Sequence, residues 1–334
     1  MRISVIGSGT YGITLSNLLD GNGHQVVMYT PFIDEAVRLR EDGENKQFLP
    51  GVQIPTSVRI TSDPEFAIYD RQIHSNIITL AMPSIHLRST LERLKPFITK
   101  EQIIVIASKG FEEANLLTLS QVVEELLPEN PVCALSGPTH AEELAHKMPT
   151  ACVSASKDET IAKMVQDTFM NDYFRIYTNT DILGVEIAGA LKNVIALACG
   201  MAAGMGRGFG DNTKAALMTR GLKEILDIGV AMGADPMTFH GLTGMGDLIV
   251  TCTSMHSRNM RAGMLLGEGY SLKEATEKIG MVIEGANAAS SALKLAQKHG
   301  VVTPIIAQVN HILRGEQTPM EALNELMDRP RSKE

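Results

Sequence analysis

Tryptophan is absent from this 334-residue chain, and aromatic residues together make up 4% of it. So thin an aromatic content, beside 29 glycines, argues against an all-β sandwich and toward an α/β architecture. Excess positive charge is missing too: 30 Lys and Arg against 38 Asp and Glu leave a formal net charge of −8. That balance speaks against nucleic acid or an anionic membrane surface as a partner. An anionic substrate would need a local basic site working against the global field. Cysteine is scarce. Cys133, Cys152, Cys199 and Cys252 lack metal-ligand spacing and lie in apolar contexts, so they read as small buried hydrophobes in a reducing compartment. No uninterrupted lipid-like run occurs either, since the most apolar stretch, 189–205, contains Lys192, Asn193 and several glycines. The chain passes from Met1-Arg2 straight into ISVIG, with no room for a signal peptide. A cytoplasmic protein without a transmembrane segment is expected.

What is present is a soluble composition, 44% hydrophobic and 20% charged, on a chain long enough for two domains. Up to residue 180, short β-rich runs alternate with amphipathic stretches. The strand candidates are 2–7, 24–30, 76–83, 102–110, 131–137 and 150–156; helices are expected between them, for example at 84–94 and 118–127. These strands are continuously apolar rather than alternating, as strands covered on both faces should be. The alternation predicts a Rossmann-like, doubly wound, mostly parallel sheet over 1–180. From 181 to 334 the strand signal fades. Helices are expected near 183–204, 213–232, 235–240, 257–266, 271–278, 285–299, 304–313 and 318–327, forming an all-α domain.

The first motif is VIGSGTYG. Gly7, Gly9 and Gly12 form G-x-G-x-x-G directly after a strand and at the start of a helical pattern. The first glycine permits a tight turn, the second lets backbone approach a pyrophosphate, and the third allows close helix–strand packing. A tight glycine turn with no ligand is the plainer alternative. The end of the second strand then bears on the ribose. NAD sites usually place an acid there, whereas NADP sites tend to carry a cation; this chain has Tyr29-Thr30-Pro31, which is neither. Asp34 and Glu35 follow and read as first-turn acids of the next helix. The balance leans to NADP, with NAD open. Lys109 lies just past a central strand, where ligands bind in open parallel sheets, although a solvated turn lysine is as ordinary there. Gly137-Pro138-Thr139 closes a strand and opens a helix, as an anion-binding turn or a plain cap.

EIAGALKNVIAL, 186–197, sets Lys192 in a run of small and apolar residues, with Ala188, Gly189, Ile195 and Ala196 as its helical neighbours. An amine buried without a counter-charge loses basicity and can exchange a proton with an alcohol or carbonyl. A snorkelling lysine is the bland reading, weakened by Asn193 beside it. A partner is available in LTGMGDLIVTC, where Asp247 follows two glycines, unless it only caps a helix. Arg258 and Asn259 offer a guanidinium fork and an amide suited to a phosphate monoester, or merely a surface arginine.

Taken together these residues resemble the NAD(P)-dependent glycerol-3-phosphate dehydrogenase family, in its bacterial biosynthetic form. The resemblance rests on GSGTYG, FLPG (48–51), ASKG (107–110), SGPTHAEEL (136–144), GALKNVIA (189–196), NTKAALMTRG (212–221), GMGDLIVTC (244–252), SRN (257–259) and VIEG (282–285), all in register. It implies reversible reduction of dihydroxyacetone phosphate to sn-glycerol 3-phosphate, a phosphorylated triose substrate, a role in glycerophospholipid synthesis, and a homodimer. By the same resemblance Lys192 is the general acid/base, while Asp247, Asn193 and Thr251 arrange the substrate oxygens. Arg258 and Asn259 would hold the phosphate, with Ser257 among the substrate-binding residues and Lys109, Gly137 and Thr139 lining the substrate pocket. Thr10, Tyr11, Pro31, Lys109, Ala141, Arg258, Val282 and Glu284 match positions that contact the cofactor, NADP or NAD. Many bacterial relatives carry His or Arg where this chain has Pro31. Two rivals remain: a related dehydrogenase of 3-hydroxyacids or sugar acids, and a catalytically silent NAD(P)H sensor. The glycine-rich segment 204–212 is expected to be a mobile loop.

Overall fold

Short apolar runs that are buried on both faces can pair only in the middle of a sheet, and most of the strands here are of that kind. The computed structural model describes residues 1–70, 73–206, 210–331 and 333. Eight strands form one sheet: β1 (Arg2–Ile6), β2 (Gln25–Tyr29), β3 (Arg59–Thr61), β4 (Ile77–Leu80), β5 (Ile103–Ile106), β6 (Val132–Ser136), β7 (Thr150–Ala155) and β8 (Phe174–Asn179). Their order is β8-β7-β6-β5-β4-β1-β2-β3, parallel throughout except for the antiparallel β6–β7 pair. Strand order thus reverses between β1 and β4, the topological switch point at which such sheets bind ligands. Helices α1 (Thr10–Gly21), α2 (Ile33–Asp42), α3 (Pro64–Ile68), α4 (Leu87–Leu94), α5 (Leu119–Leu126), α6 (Ala141–Ala145) and α7 (Glu159–Phe169) connect the strands. This is the doubly wound sheet expected of the first half. Two strands were missing from that expectation. Strand β3 has only three residues, and β8 alternates buried and exposed positions, as an edge strand does.

The remaining helices are α8 (Ile182–Gly204), α9 (Asp211–Ala231), α10 (Asp247–Thr253), α11 (Arg258–Gly267), α12 (Leu272–Ile279), α13 (Glu284–His299), α14 (Pro304–Leu313) and α15 (Pro319–Met327). The chain divides into two compact units, Met1–Glu112 with Leu117–Glu186, and Glu113–Leu116 with Ile187–Glu334. The centre of the glycine-rich segment once expected to be mobile, 207–209, lies outside the described residues.

Helix α8 is apolar all round and is the one described helix long and apolar enough to cross a membrane, but 94% of that window is buried inside the protein. It is the axis of a helical core. Glycines let its neighbours touch its backbone. A Cβ on Gly200 would lie 2.2 Å from the Met260 carbonyl oxygen, and one on Gly263 would lie 2.3 Å from that of Leu197. Gly204 and Gly267 repeat the arrangement one turn on. Because the obstacle is helix backbone, no side chain can move aside. Gly263→Val is expected to cost about 3 kcal/mol or more, read as a lowered urea midpoint with unchanged slope; an unshifted midpoint would contradict this packing.

Two buried glutamates serve as remote helix caps. Glu186 accepts the Ser120 amide at 2.8 Å and also bonds the Ser120 hydroxyl, at the first turn of α5. Glu224 accepts the amides of Ile305 and Ile306, 2.8 and 3.0 Å, at the first turn of α14. Burial outweighs these donors and pushes both carboxyls up to about 7. Between the ordinary carboxylate range and about 7, the folded protein therefore holds protons that the unfolded chain has released. The resulting stabilisation is full below the ordinary range and is lost as pH rises through 7, on the order of 3 kcal/mol per group. His24, pushed down by burial, acts in the opposite sense. The informative quantity is therefore a difference: between about pH 5.5 and 8 the stability of Glu224→Gln should fall less than that of the parent. Equal slopes would exclude the effect.

Candidate active site

The loop after β1 is shaped by what glycine alone permits. Gly7 has φ 122°, its amide bonds the Tyr29 carbonyl at 2.9 Å, and a Cβ there would meet the Ala81 carbonyl oxygen at 2.4 Å. A Cβ on Gly12 would meet the Gly7 carbonyl oxygen at 2.0 Å, which holds α1 tight against the strand. Gly9 differs, because a Cβ on it would meet nothing. It stands at the N-cap of α1, which has no side-chain cap and no acid in its first turn. Thr10 and Tyr11 open that helix. No side chain of its own cap or first turn brings negative charge to that end, and its positive dipole end suits an anion. These features fit a dinucleotide pyrophosphate, with Gly9, Thr10 and Tyr11 as the residues that would hold it.

Beyond β2 the structure supplies what the pattern of residues had not suggested. Pro31 is exposed, as are Phe32 and Ile33. Glu35, although in the first turn of α2, turns back toward the strand. Its Oε2 accepts from Ser8 Oγ at 2.9 Å and from Thr30 Oγ1 at 2.5 Å. A carboxylate therefore does stand at the end of β2, delivered from the following helix.

At the neighbouring ends of β5 and β6, Lys109 and the turn after Ser136 meet. Lys109 Nζ donates to the Gly137 carbonyl at 2.9 Å, and Thr139 Oγ1 donates to the same oxygen at 3.2 Å. Gly137 has φ 148°, and a Cβ there would lie 2.8 Å from Cys152 Cα. Ala141 begins α6, and its carbonyl accepts from Thr14 of α1 at 3.2 Å. The sheet thus draws Lys109, Gly137 and Thr139 into one group.

In the helical unit, Lys192 is 6% exposed and not a snorkelling lysine. None of its own turns provides a charge, but Asp247, 1% exposed, does. Lys192 Nζ donates to Asp247 Oδ1 at 2.5 Å and to Thr251 Oγ1 at 2.7 Å, and Thr251 Oγ1 donates to the Asp247 carbonyl at 2.6 Å. The amine is therefore ion-paired directly with Asp247, the partner available in LTGMGDLIVTC, while its own helical neighbours offer no charge. Asp247 is brought in by one turn of π-helix, Leu242–Gly246, closed by the Gly246 amide on the Gly241 carbonyl at 3.1 Å. Gly244 is required there, since a Cβ would meet the Phe239 carbonyl oxygen at 2.0 Å. Such π turns recur at functional sites. Asp247 is also the first residue of α10, seven residues long.

Asn193 and Asn259 are joined. Asn259 Nδ2 donates to Asn193 Oδ1 at 2.9 Å, and Asn259 Oδ1 accepts the Gly285 amide at 2.9 Å. Asn259 is thus largely committed to positioning Asn193. Ser257 caps α11 by accepting the Met260 amide at 3.1 Å, which places Arg258 at the first position of that helix. The Arg258 guanidinium reaches the Val282 carbonyl at 3.4 Å, just before Glu284 opens α13.

Two family models match the chain, "NAD-dependent glycerol-3-phosphate dehydrogenase N-terminus" over residues 2–162 and its "C-terminus" over 181–324. The chain belongs to the NAD-dependent glycerol-3-phosphate dehydrogenase family. Among its members, the glycerol-3-phosphate dehydrogenase [NAD(P)+] of Fusobacterium nucleatum is 49% identical, covering 100% of this chain and 98% of the relative. That of Agathobacter rectalis is 48% identical over 99% of this chain and 96% of its own length. The crystal structure of glycerol-3-phosphate dehydrogenase from Coxiella burnetii, 34% identical, superposes with a TM-score of 0.93 over 98% of this chain and 99% of that one. Family membership thus extends over both halves, including the Lys192 cluster and the α1 cradle.

Proposed function

We propose that this protein catalyses the reversible NAD(P)H-dependent reduction of dihydroxyacetone phosphate to sn-glycerol 3-phosphate. The observation that carries the reading is the buried Lys192–Asp247–Thr251 cluster in a member of this family. Bound NAD(P)H supplies the hydride that adds to the carbonyl carbon. Lys192 Nζ gives its proton to the carbonyl oxygen as the C–O π pair moves onto it, leaving an alcohol and a neutral amine that water reprotonates. In the reverse direction the neutral amine takes the hydroxyl proton. Asp247 and Thr251 hold Nζ in place, so little reorganisation accompanies the step. Asn193, whose Oδ1 is occupied by Asn259, keeps Nδ2 to orient a substrate hydroxyl. Arg258 grips the phosphate, and Lys109, with Thr139, contributes a further donor set. By likeness to the family, Thr10, Tyr11, Ala141, Val282 and Glu284 are assigned to the cofactor.

The remaining features follow by likeness to relatives: residues 1–180 as the cofactor domain and 181–334 as the substrate domain, a homodimer, a cytoplasmic location, and supply of glycerophospholipid synthesis. The test compares oxidation of reduced nicotinamide with dihydroxyacetone phosphate, with unphosphorylated dihydroxyacetone, and, in reverse, with a panel of 3-hydroxyacids. Turnover is expected with the phosphorylated triose. Preferential oxidation of a hydroxyacid would favour the rival dehydrogenase.

A further inference from the structure

We infer that Glu35 makes this enzyme discriminate against the 2′-phosphate and so prefer NADH to NADPH. The inference rests on reading the loop after β1 as a dinucleotide cradle. Where sheets of this kind bind dinucleotides, the residue at the end of the second strand meets the adenosine ribose. By position in the chain no acid stands there, since Tyr29-Thr30-Pro31 ends the strand, and the sequence therefore leaned toward NADP. The position of Glu35 points the other way. Glu35 folds back from α2 so that its Oε2 lies 2.9 Å from Ser8 Oγ, inside the glycine-rich loop, and 2.5 Å from Thr30 Oγ1 at the strand end.

Three consequences follow for a ligand. Both hydroxyls donate to the same oxygen, so Oε1 is left, among the described residues, with no protein donor and can accept from a ribose diol. Ser8 and Thr30 are hydroxyls at this strand end that could donate to a 2′-phosphate, and both already donate to Glu35. Finally, no ion pair among the described residues neutralises Glu35, so a 2′-phosphate there would meet an uncompensated like charge. A ribose 2′-hydroxyl has a proton to give, whereas the phosphate has only further negative charge.

Equilibrium titration of the purified chain with NADH and with NADPH tests this without any substrate. The parent is expected to bind NADH about a hundredfold more tightly than NADPH. Glu35→Gln, which keeps the shape and removes the charge, should shrink the ratio at least about tenfold, and Glu35→Ser should shift it in the same direction. Equal or tighter binding of NADPH by the parent overturns the inference, as does a ratio unchanged in both variants. An NADPH preference abolished by Arg38→Ala would overturn it in favour of a cation on α2. Binding of neither coenzyme would overturn the cradle itself, whereas tight coenzyme binding without turnover of dihydroxyacetone phosphate would sink the proposed reaction and leave the role of Glu35 standing.

Discussion

Lys192→Met should reduce kcat by about 10³–10⁴-fold while coenzyme binding stays close to that of the parent. The size of the effect follows from the cluster. Lys192 Nζ is the buried proton donor of the proposed step, held by Asp247 and Thr251 at 2.5 and 2.7 Å. Removing it takes away proton transfer and also takes from Asp247, 1% exposed, the buried cation it is paired with. That second consequence costs about 3–5 kcal/mol of stability, so a folding defect has to be separated from a chemical one. The double variant Lys192→Met, Asp247→Asn removes both charges together. It should recover much of the lost stability and none of the activity. Recovery of turnover along with stability would show that Lys192 is structural.

Arg258→Ala should lower kcat/KM for dihydroxyacetone phosphate about a hundredfold, mostly through KM. Arg258 is the first residue of α11, and the Ser257 cap, made through the Met260 amide, fixes where its side chain begins. Its guanidinium bonds the Val282 carbonyl at 3.4 Å, and a fork of five N–H donors can serve a phosphate beside its protein partners. Loss of a charge-assisted, forked contact accounts for the magnitude. The same variant should act on unphosphorylated dihydroxyacetone no worse than the parent does. If kcat falls with KM unchanged, Arg258 belongs to the chemical step and not to phosphate recognition.

Much of the Rossmann unit could be read from residues alone, because β1, β2 and β4–β7 are short, mostly apolar runs that alternate with amphipathic stretches. The strands that escaped notice, Arg59–Thr61 and Phe174–Asn179, are a three-residue edge and an alternating edge, where burial leaves a weaker imprint. Lys192 drew attention because it is polar in an apolar helix. Its partner Asp247 lies 55 positions away, delivered by a π turn, and no local periodicity encodes that pairing. Asn259 shows the same limit. Its type suggested a ligand contact, but not that its oxygen accepts the Gly285 amide and that one of its two Nδ2 hydrogens goes to Asn193. Glu35 was legible only as a first-turn acid, since its return to Ser8 and Thr30 depends on how α2 leaves the sheet.

The most direct measurement is product formation by the purified protein supplied with dihydroxyacetone phosphate and reduced nicotinamide. Loss of the near-ultraviolet absorbance of NADH or NADPH should depend on the triose phosphate and match sn-glycerol 3-phosphate mole for mole, with dihydroxyacetone a far poorer substrate. Absence of any loss dependent on dihydroxyacetone phosphate, with either coenzyme, would contradict the reaction assigned to this protein.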